Sequence, residues 1–185
     1  MDHCGTKELR TDRLLLRRFT MDDVEPAYRN WASNPEVTKF LTWPTNTSLD
    51  HTKRVMANTI RQYEEPDCYY WAICPIDEPN NPFGAIGVIA LFEEITTLQV
   101  SYVIGQPWWH QGYTSEALSA VMDFLFQEVG AERIEGRHDP RNPNSGRVLR
   151  KCGMSYEGTQ PNGARNNMGL FDAVWYAKDR PVDEA

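Results

Sequence analysis

Ile104-Gly105-Gln106-Pro107-Trp108-Trp109-His110-Gln111-Gly112-Tyr113-Thr114-Ser115-Glu116-Ala117 is the stretch on which the reading of this chain turns. An apolar run of β-formers, 97–104, ends at Ile104, and polar residues and glycines follow. A helical pattern then begins near Thr114 and runs to about Glu128, with Ala117, Leu118, Val121, Met122 and Leu125 on one stripe. The first-turn N–H groups of such a helix have no internal partners and sit at the positive end of its dipole. A phosphate can accept several of them at once. Gly112 matters because a side chain there would hold the ligand off the backbone. Taken alone, the same residues also describe an ordinary connection with a capping Ser or Thr, so the surroundings must decide.

Upstream, Leu14 and Leu16 alternate with Arg13, Leu15 and Arg17 as a first strand. Thr20-Met21-Asp22-Asp23 resembles a capping box, and Val24, Ala27, Tyr28 and Trp31 follow at helical spacing until Asn34-Pro35 ends the helix. Ser48 caps a second helix with Val55, Met56, Ile60 and Tyr63 on one face. The period then changes: 69–74, 85–91 and 97–104 read as an antiparallel meander. Downstream of the central helix come a short strand, 133–138, and a short helix, 144–151, closed by Gly153. A loop at roughly 160–169 and a last strand or hairpin, 171–177, follow, and the polar tail from Arg180 is expected to be loose. Antiparallel strands followed by an alternating strand–helix portion predict a mixed α/β domain of the α+β type.

The bulk properties exclude several function classes. The length of 185 residues fits one domain. No apolar run approaches the roughly 18 residues needed to cross a bilayer. Met1-Asp2-His3-Cys4 has no basic stretch followed by an apolar one, so no membrane partner and a cytoplasmic location are expected. The net charge of −7 makes nucleic acid a poor partner and suits a positively charged amine. Cys4, Cys68, Cys74 and Cys152 form no C-x-x-C pair and have no histidine at zinc-ligand spacing, so neither a disulfide nor a structural metal is expected.

A second segment is Asn142-Pro143-Asn144-Ser145-Gly146-Arg147-Val148-Leu149-Arg150-Lys151-Cys152-Gly153-Met154. A strand gives way to an asparagine-rich turn and a short basic helix. Asn142 and Asn144 offer amides, and Ser145 offers a hydroxyl near the helix start. Asn144 or Ser145 also reads simply as a helix cap.

Together the two segments resemble the GNAT superfamily of N-acetyltransferases, and within it the RimJ/RimL-like branch, whose members acetylate ribosomal proteins. Trp109 to Ala117 is similar to that branch's W-G-x-G-Y-A-T/S-E-A cofactor loop. Asn142-Pro143-Asn144-Ser145 with Lys151-Cys152-Gly153-Met154 is similar to its N-x-x-S…K-x-G-F segment. Thr11 to Arg17 resembles its first strand, and Tyr156-Glu157-Gly158 and Asp172 to Tyr176 resemble its closing strands. The resemblance implies one domain over 1–185 with its core at about 9–179: a twisted, mostly antiparallel sheet of about seven strands flanked by about four helices. His110 and Thr114 depart from the pattern, standing where the branch usually has glycine and alanine or glycine.

The resemblance further implies direct transfer of an acetyl group from acetyl-coenzyme A to a primary amine. His110, Gln111, Gly112, Tyr113, Thr114 and Ser115 would hold the pyrophosphate, with Arg147, Arg150 and Lys151 within reach of the phosphates. Val103 and Ile104 would pair with the pantetheine arm like an added strand, and Asn142 would bond to it. Ser145 is the expected general acid. Glu157 is the first choice of base, with His138, Glu93 and Glu94 as alternatives. Trp43, Trp108 and Trp109 either line an acceptor groove or belong to the core. The acceptor is expected to be a protein N-terminus; a small amine such as an antibiotic or polyamine is the alternative. A non-catalytic acyl-coenzyme A-binding module is a further reading. A homodimer is common in the family.

Overall fold

The computed structural model describes residues 1–181. Of the tail expected to be loose, 182–185 lie outside the described residues. The strands are β1 (Leu9–Arg10), β2 (Leu14–Arg17), β3 (Tyr70–Pro75), β4 (Gly84–Phe92), β5 (Thr97–Ile104), β6 (Arg133–His138), β7 (Ser155–Asn166) and β8 (Gly169–Asp179). They form one sheet in the order β1-β2-β3-β4-β5-β6-β8-β7, antiparallel except for the β5–β6 pair. The mixed α/β class and the mostly antiparallel sheet match the expectation, with eight strands rather than about seven.

Alternation along the strands divides the interior in two. Leu14, Leu16, Trp71, Ile73, Leu98 and Val100 point to one face and meet α4 (Tyr113–Gln127) and α5 (Pro143–Lys151). The predicted stripe of α4, Ala117, Leu118, Val121, Met122 and Leu125, is wholly buried there. Leu15, Ala72, Cys74, Ala85 and Val103 point the other way. They meet α1 (Val24–Ala27), α2 (Pro35–Thr38) and α3 (Leu49–Gln62). The second face carries smaller side chains, which lets Trp31, Phe19 and Met56 reach the sheet.

Local chemistry explains the helix boundaries. The Asp23 carboxylate accepts from the Thr20 N–H at 2.8 Å, the reciprocal half of the expected capping box, and its buried charge is matched by Arg17 at 2.7 Å. Asn34-Pro35 ends the first helical stretch as expected, with Asn34 in an extended conformation. After a π-helical turn, Tyr28–Ala32, the chain restarts as α2, because Pro35 occupies a first-turn position where its missing N–H costs nothing. Asn34 caps the new helix by accepting from the Glu36 N–H at 2.9 Å. On α3, Ser48 caps as expected, accepting from the His51 N–H at 3.1 Å, but Val55 is 47% exposed and does not share the face of Met56.

The segment 160–169, read as a loop, is mostly strand. Gln160 pairs with Ala173 and Ala164 with Phe171, so Pro161-Asn162-Gly163 bulges opposite Asp172, whose carboxylate accepts from the Asn162 N–H at 2.8 Å. The hairpin tip is anchored across the molecule. The Asn167 N–H donates to the Leu41 carbonyl at 3.1 Å, and its amide donates to the Thr38 and Trp43 carbonyls at 2.8 Å each.

Strands β5 and β6 pair over Thr97↔Arg133, Leu98↔Ile134 and Gln99↔Glu135 and then diverge. β5 stays paired to β4 as far as Ile104, and β6 stays paired to β8 as far as His138. A wedge opens in the sheet, with the start of α4 above it and the start of α5 beside it.

Candidate active site

The loop above the wedge is shaped by two left-handed residues. Gly112, with φ +82°, is the residue preceding the first turn of α4, and His110 has φ +61°. A glycine tolerates that conformation, whereas a histidine there costs about 1 kcal/mol. This gives the physical reason that position 110 favours glycine in the motif. The N–H groups of Tyr113, Thr114 and Ser115 occupy the first turn, and the Glu116 N–H already donates to the Gly112 carbonyl at 3.1 Å. A β-carbon on Gly112 would sit 3.5 Å from both Arg13 Nη2 and Lys151 Nζ, so two cations flank the bare backbone.

Arg13 is held in place there. Its guanidinium lies 4.3 Å over the Tyr113 ring, donates to Glu116 at 2.7 Å and donates to the Gln111 carbonyl at 3.1 Å. Glu116 also accepts from Thr11 Oγ1 at 2.6 Å and the Arg13 N–H at 3.0 Å. Burial pushes the Glu116 carboxyl up, but the Thr11 and Arg13 hydrogen bonds outweigh it and hold the group below its ordinary value. Gln111 ties the loop back through Nε2 to the Pro107 carbonyl at 2.8 Å.

The free edge of β5 faces the wedge with a definite parity. The Gly105 N–H donates to the Phe83 carbonyl at 2.8 Å, so strand alternation turns the backbone of Val103 toward β4 and that of Tyr102 and Ile104 toward the opening. The Ile104 carbonyl accepts from Trp109 Nε1 at 2.9 Å. Of the expected pair Val103 and Ile104, only Ile104 has its backbone on the open edge, which it shares with Tyr102.

On the other wall, Asn142 precedes α5, and its N–H donates to the Asp139 carbonyl at 2.8 Å. Ser145 lies in the first turn of α5, its Oγ 3.0 Å from the Tyr102 hydroxyl. His138 lies under α5, where a β-carbon on Gly146 would be 2.5 Å from Nε2, and Nδ1 is bonded to the Asp139 carbonyl at 2.8 Å. Arg147 bonds to Asn144 at 3.1 Å, and Arg150 donates to the Tyr176 hydroxyl at 2.8 Å. Of the three cations of α5, Lys151 is the one set against the loop.

The opposite face of the sheet is acidic. Glu157, 45% exposed, pairs with Arg133 at 3.0 Å, and Arg133 also holds Glu135 at 3.0 Å and Asp179 at 2.8 Å. Gln99, Glu135, Glu157 and Trp175 line a cleft of about 350 Å³ at the closed end of the wedge. The structure therefore does not bring Glu157 to Ser145: the two stand on opposite faces of the sheet. Glu93 pairs with the N-terminal amino group and His3 at the far β4–β5 turn. Trp108 stacks on Phe83, ring centroids 5.1 Å apart, and packs half-buried against the α4–α5 core; Trp43 and Trp109 pack at the margin of the α1–α3 face.

Three groups escaped the sequence reading. Tyr102 alternates with core residues and carries no motif of its own. Arg13 is one cation among several in the first strand. Asp139 is 1% exposed, accepts from Arg141 at 2.6 Å and from Asn166 at 2.9 Å, and so fastens the start of α5 to the β7–β8 hairpin. Burial raises the Asp139 carboxyl, and the Arg141 and Asn166 bonds more than reverse this, leaving it below its ordinary value.

Residues 13–155 match the model of the acetyltransferase (GNAT) domain. The chain is 29% identical over 173 residues to the uncharacterized N-acetyltransferase YoaA of Bacillus subtilis, covering 94% of this chain and 97% of that one. A GNAT-family acetyltransferase from Bacillus anthracis superposes with a TM-score of 0.81 at 25% identity, covering 94% and 99% of the two chains. The fold is shared with RimL, a ribosomal L7/L12 α-N-protein acetyltransferase solved with coenzyme A, at a TM-score of 0.82 and 19% identity over 94% and 98% of the chains. No helix among the described residues is long and apolar enough to cross a membrane, and no group of three or more metal-ligating side chains occurs among them. With the split sheet, the left-handed loop opening α4 and the domain match in agreement, the chain belongs to the GNAT acetyltransferase family and is an N-acetyltransferase.

Proposed function

We propose that the chain transfers the acetyl group of acetyl-coenzyme A to the free N-terminus of a protein by direct attack. The observation that carries the reading is the β5 edge at Tyr102 and Ile104, which has no strand partner and lies between the anion-ready loop at Gly112 and the Ser145 hydroxyl. The donor set suits the ligand: bare first-turn amides and two cations for a pyrophosphate, and a strand edge for the amide-bearing pantetheine arm.

In this reading, the amides of Gln111 to Ser115 with Arg13 and Lys151 hold the pyrophosphate, His110 shapes the turn, and Asn142 bonds to the arm. Arg147 serves the outer phosphate region. The Ile104 N–H stabilises charge developing on the thioester oxygen in this reading. Ser145 donates toward the departing sulfur. The amine enters from the acidic face, past Trp43 and Trp109, and Glu157 with its neighbour Glu135 receives its proton through water. His138, covered by Gly146, supports α5 rather than serving as the base.

The test is thiol release from acetyl-coenzyme A with peptides bearing free N-termini set beside polyamines and aminoglycosides. The expected result is a kcat/KM at least about tenfold higher for a peptide. The reverse ranking assigns the chain a small amine, and cofactor binding without turnover on the panel overturns the enzymatic role of this site.

A further inference from the structure

Tyr102 is one residue past the middle of β5 and beyond the last β5–β6 pair, at Gln99. Its side chain crosses the wedge to α5. There the hydroxyl donates to the Ser145 carbonyl at 2.9 Å and lies 3.0 Å from Ser145 Oγ, where either hydroxyl can donate. A phenol has one proton and a carbonyl only accepts. At rest, therefore, Tyr102 donates to the Ser145 carbonyl and Ser145 Oγ donates to Tyr102.

We propose that Tyr102 is a positioning residue for acetyl transfer, which turns its hydrogen bond onto Ser145 Oγ when Ser145 turns its own toward the leaving sulfur. The two hydroxyls then form a chain in which each bond strengthens the next, aimed at the negative charge on the thiolate. Burial pushes the phenol well above its ordinary value, so the chain ends in a neutral tyrosine. Tyr102 supplies a hydrogen bond and keeps its proton; no bond to hydrogen breaks there. The same contact fixes the first turn of α5 against β5, so the wall that carries Ser145 is set before any ligand arrives.

The inference rests on the proposed role of Ser145, and the test separates the two. Coenzyme A itself is the probe: its thiolate absorbance is titrated on the wild-type chain, Tyr102→Phe, Ser145→Ala and the double variant, alongside kcat with the best acceptor of the panel above. Ser145→Ala is expected to raise the bound thiol pKa and lower kcat. Tyr102→Phe is expected to raise the thiol pKa by about half a unit and lower kcat about fivefold, with the KM for acetyl-coenzyme A within about twofold. The double variant should match Ser145→Ala alone. Site-specific 3-fluorotyrosine at position 102, a stronger donor of nearly the same shape, should shift the thiol pKa the other way, and it serves if the phenylalanine variant fails to fold. An effect of Ser145→Ala with none from changes at Tyr102 overturns the positioning role and leaves Ser145 in place. Independent, multiplying effects also overturn it. No effect from either removes the role of Ser145 itself.

Discussion

Gly146 rests on the imidazole of His138 so closely that a β-carbon there would lie 2.5 Å from Nε2. Gly146→Ala should therefore push α5 off the sheet, costing about 2 kcal/mol of stability and lowering kcat through the displaced Ser145. Combining it with His138→Ala makes room for the methyl and should recover part of both losses. Thermal melts and steady-state kinetics on the three variants check this. A double variant worse than either single one would mean that His138 does more than fill space.

The loop at Gly112 makes a graded prediction. Gly112→Ala and Gly112→Val should raise the KM for acetyl-coenzyme A in that order, the valine by about tenfold, because the left-handed backbone penalises a branched side chain most. His110→Gly should act oppositely. Removing the strain at φ +61° should raise Tm by about 2 °C without raising that KM. An unchanged KM in Gly112→Val would put the pyrophosphate elsewhere.

Arg13→Ala should raise the KM for acetyl-coenzyme A about fivefold and weaken its dependence on salt, since one of the two cations at Gly112 is lost. Arg13→Lys should restore the charge but not the bonds to Glu116 and Gln111, recovering only part of the loss. KM measured across an ionic-strength series separates the two contributions.

Asp139 gives the fold an acid limb. Its carboxyl is held below the ordinary value when folded, so the folded chain binds that proton more weakly than the unfolded one. The stabilisation is fully present above the unfolded value near pH 4 and is lost as the pH falls through the lower folded value. Asp139→Asn should be less stable than wild type by about 2 kcal/mol at pH 7. The gap in urea midpoint should narrow steadily below pH 4. A gap that is constant with pH would show that the carboxylate charge contributes nothing.

Much of this architecture is legible in the sequence because the two-residue period of strands and the 3.6-residue period of helices carry it. The buried stripe of α4, the alternation in β3 to β5 and the capping residues Ser48 and Thr20 all follow from local chemistry. The loop 108–117 was recognisable for the same reason: a glycine before a helix has a short-range physical meaning. What escaped depends on where distant segments meet. Tyr102 finds Ser145 through the divergence of two strands, and Arg13 finds Gln111 across about a hundred residues. The segment 160–169 read as a loop because Pro161, Asn162 and Gly163 are turn formers, yet opposite Asp172 they make a bulge that keeps the hairpin going. The separation of Glu157 from Ser145 followed the same pattern, since the face on which a strand residue emerges is set by the register of its partners.

The anchoring of Asn167 to Thr38, Leu41 and Trp43 makes one mechanical piece of two stretches lying more than 120 residues apart. An exchange of the 38–46 stretch that altered its backbone path would carry the three carbonyls away from the hairpin tip, and a tip without asparagine at position 167 would leave the Thr38 and Trp43 carbonyls without their donor. Chimeras that redesign the rim of this enzyme should therefore transplant both stretches together, and natural divergence along the rim should have proceeded by paired steps.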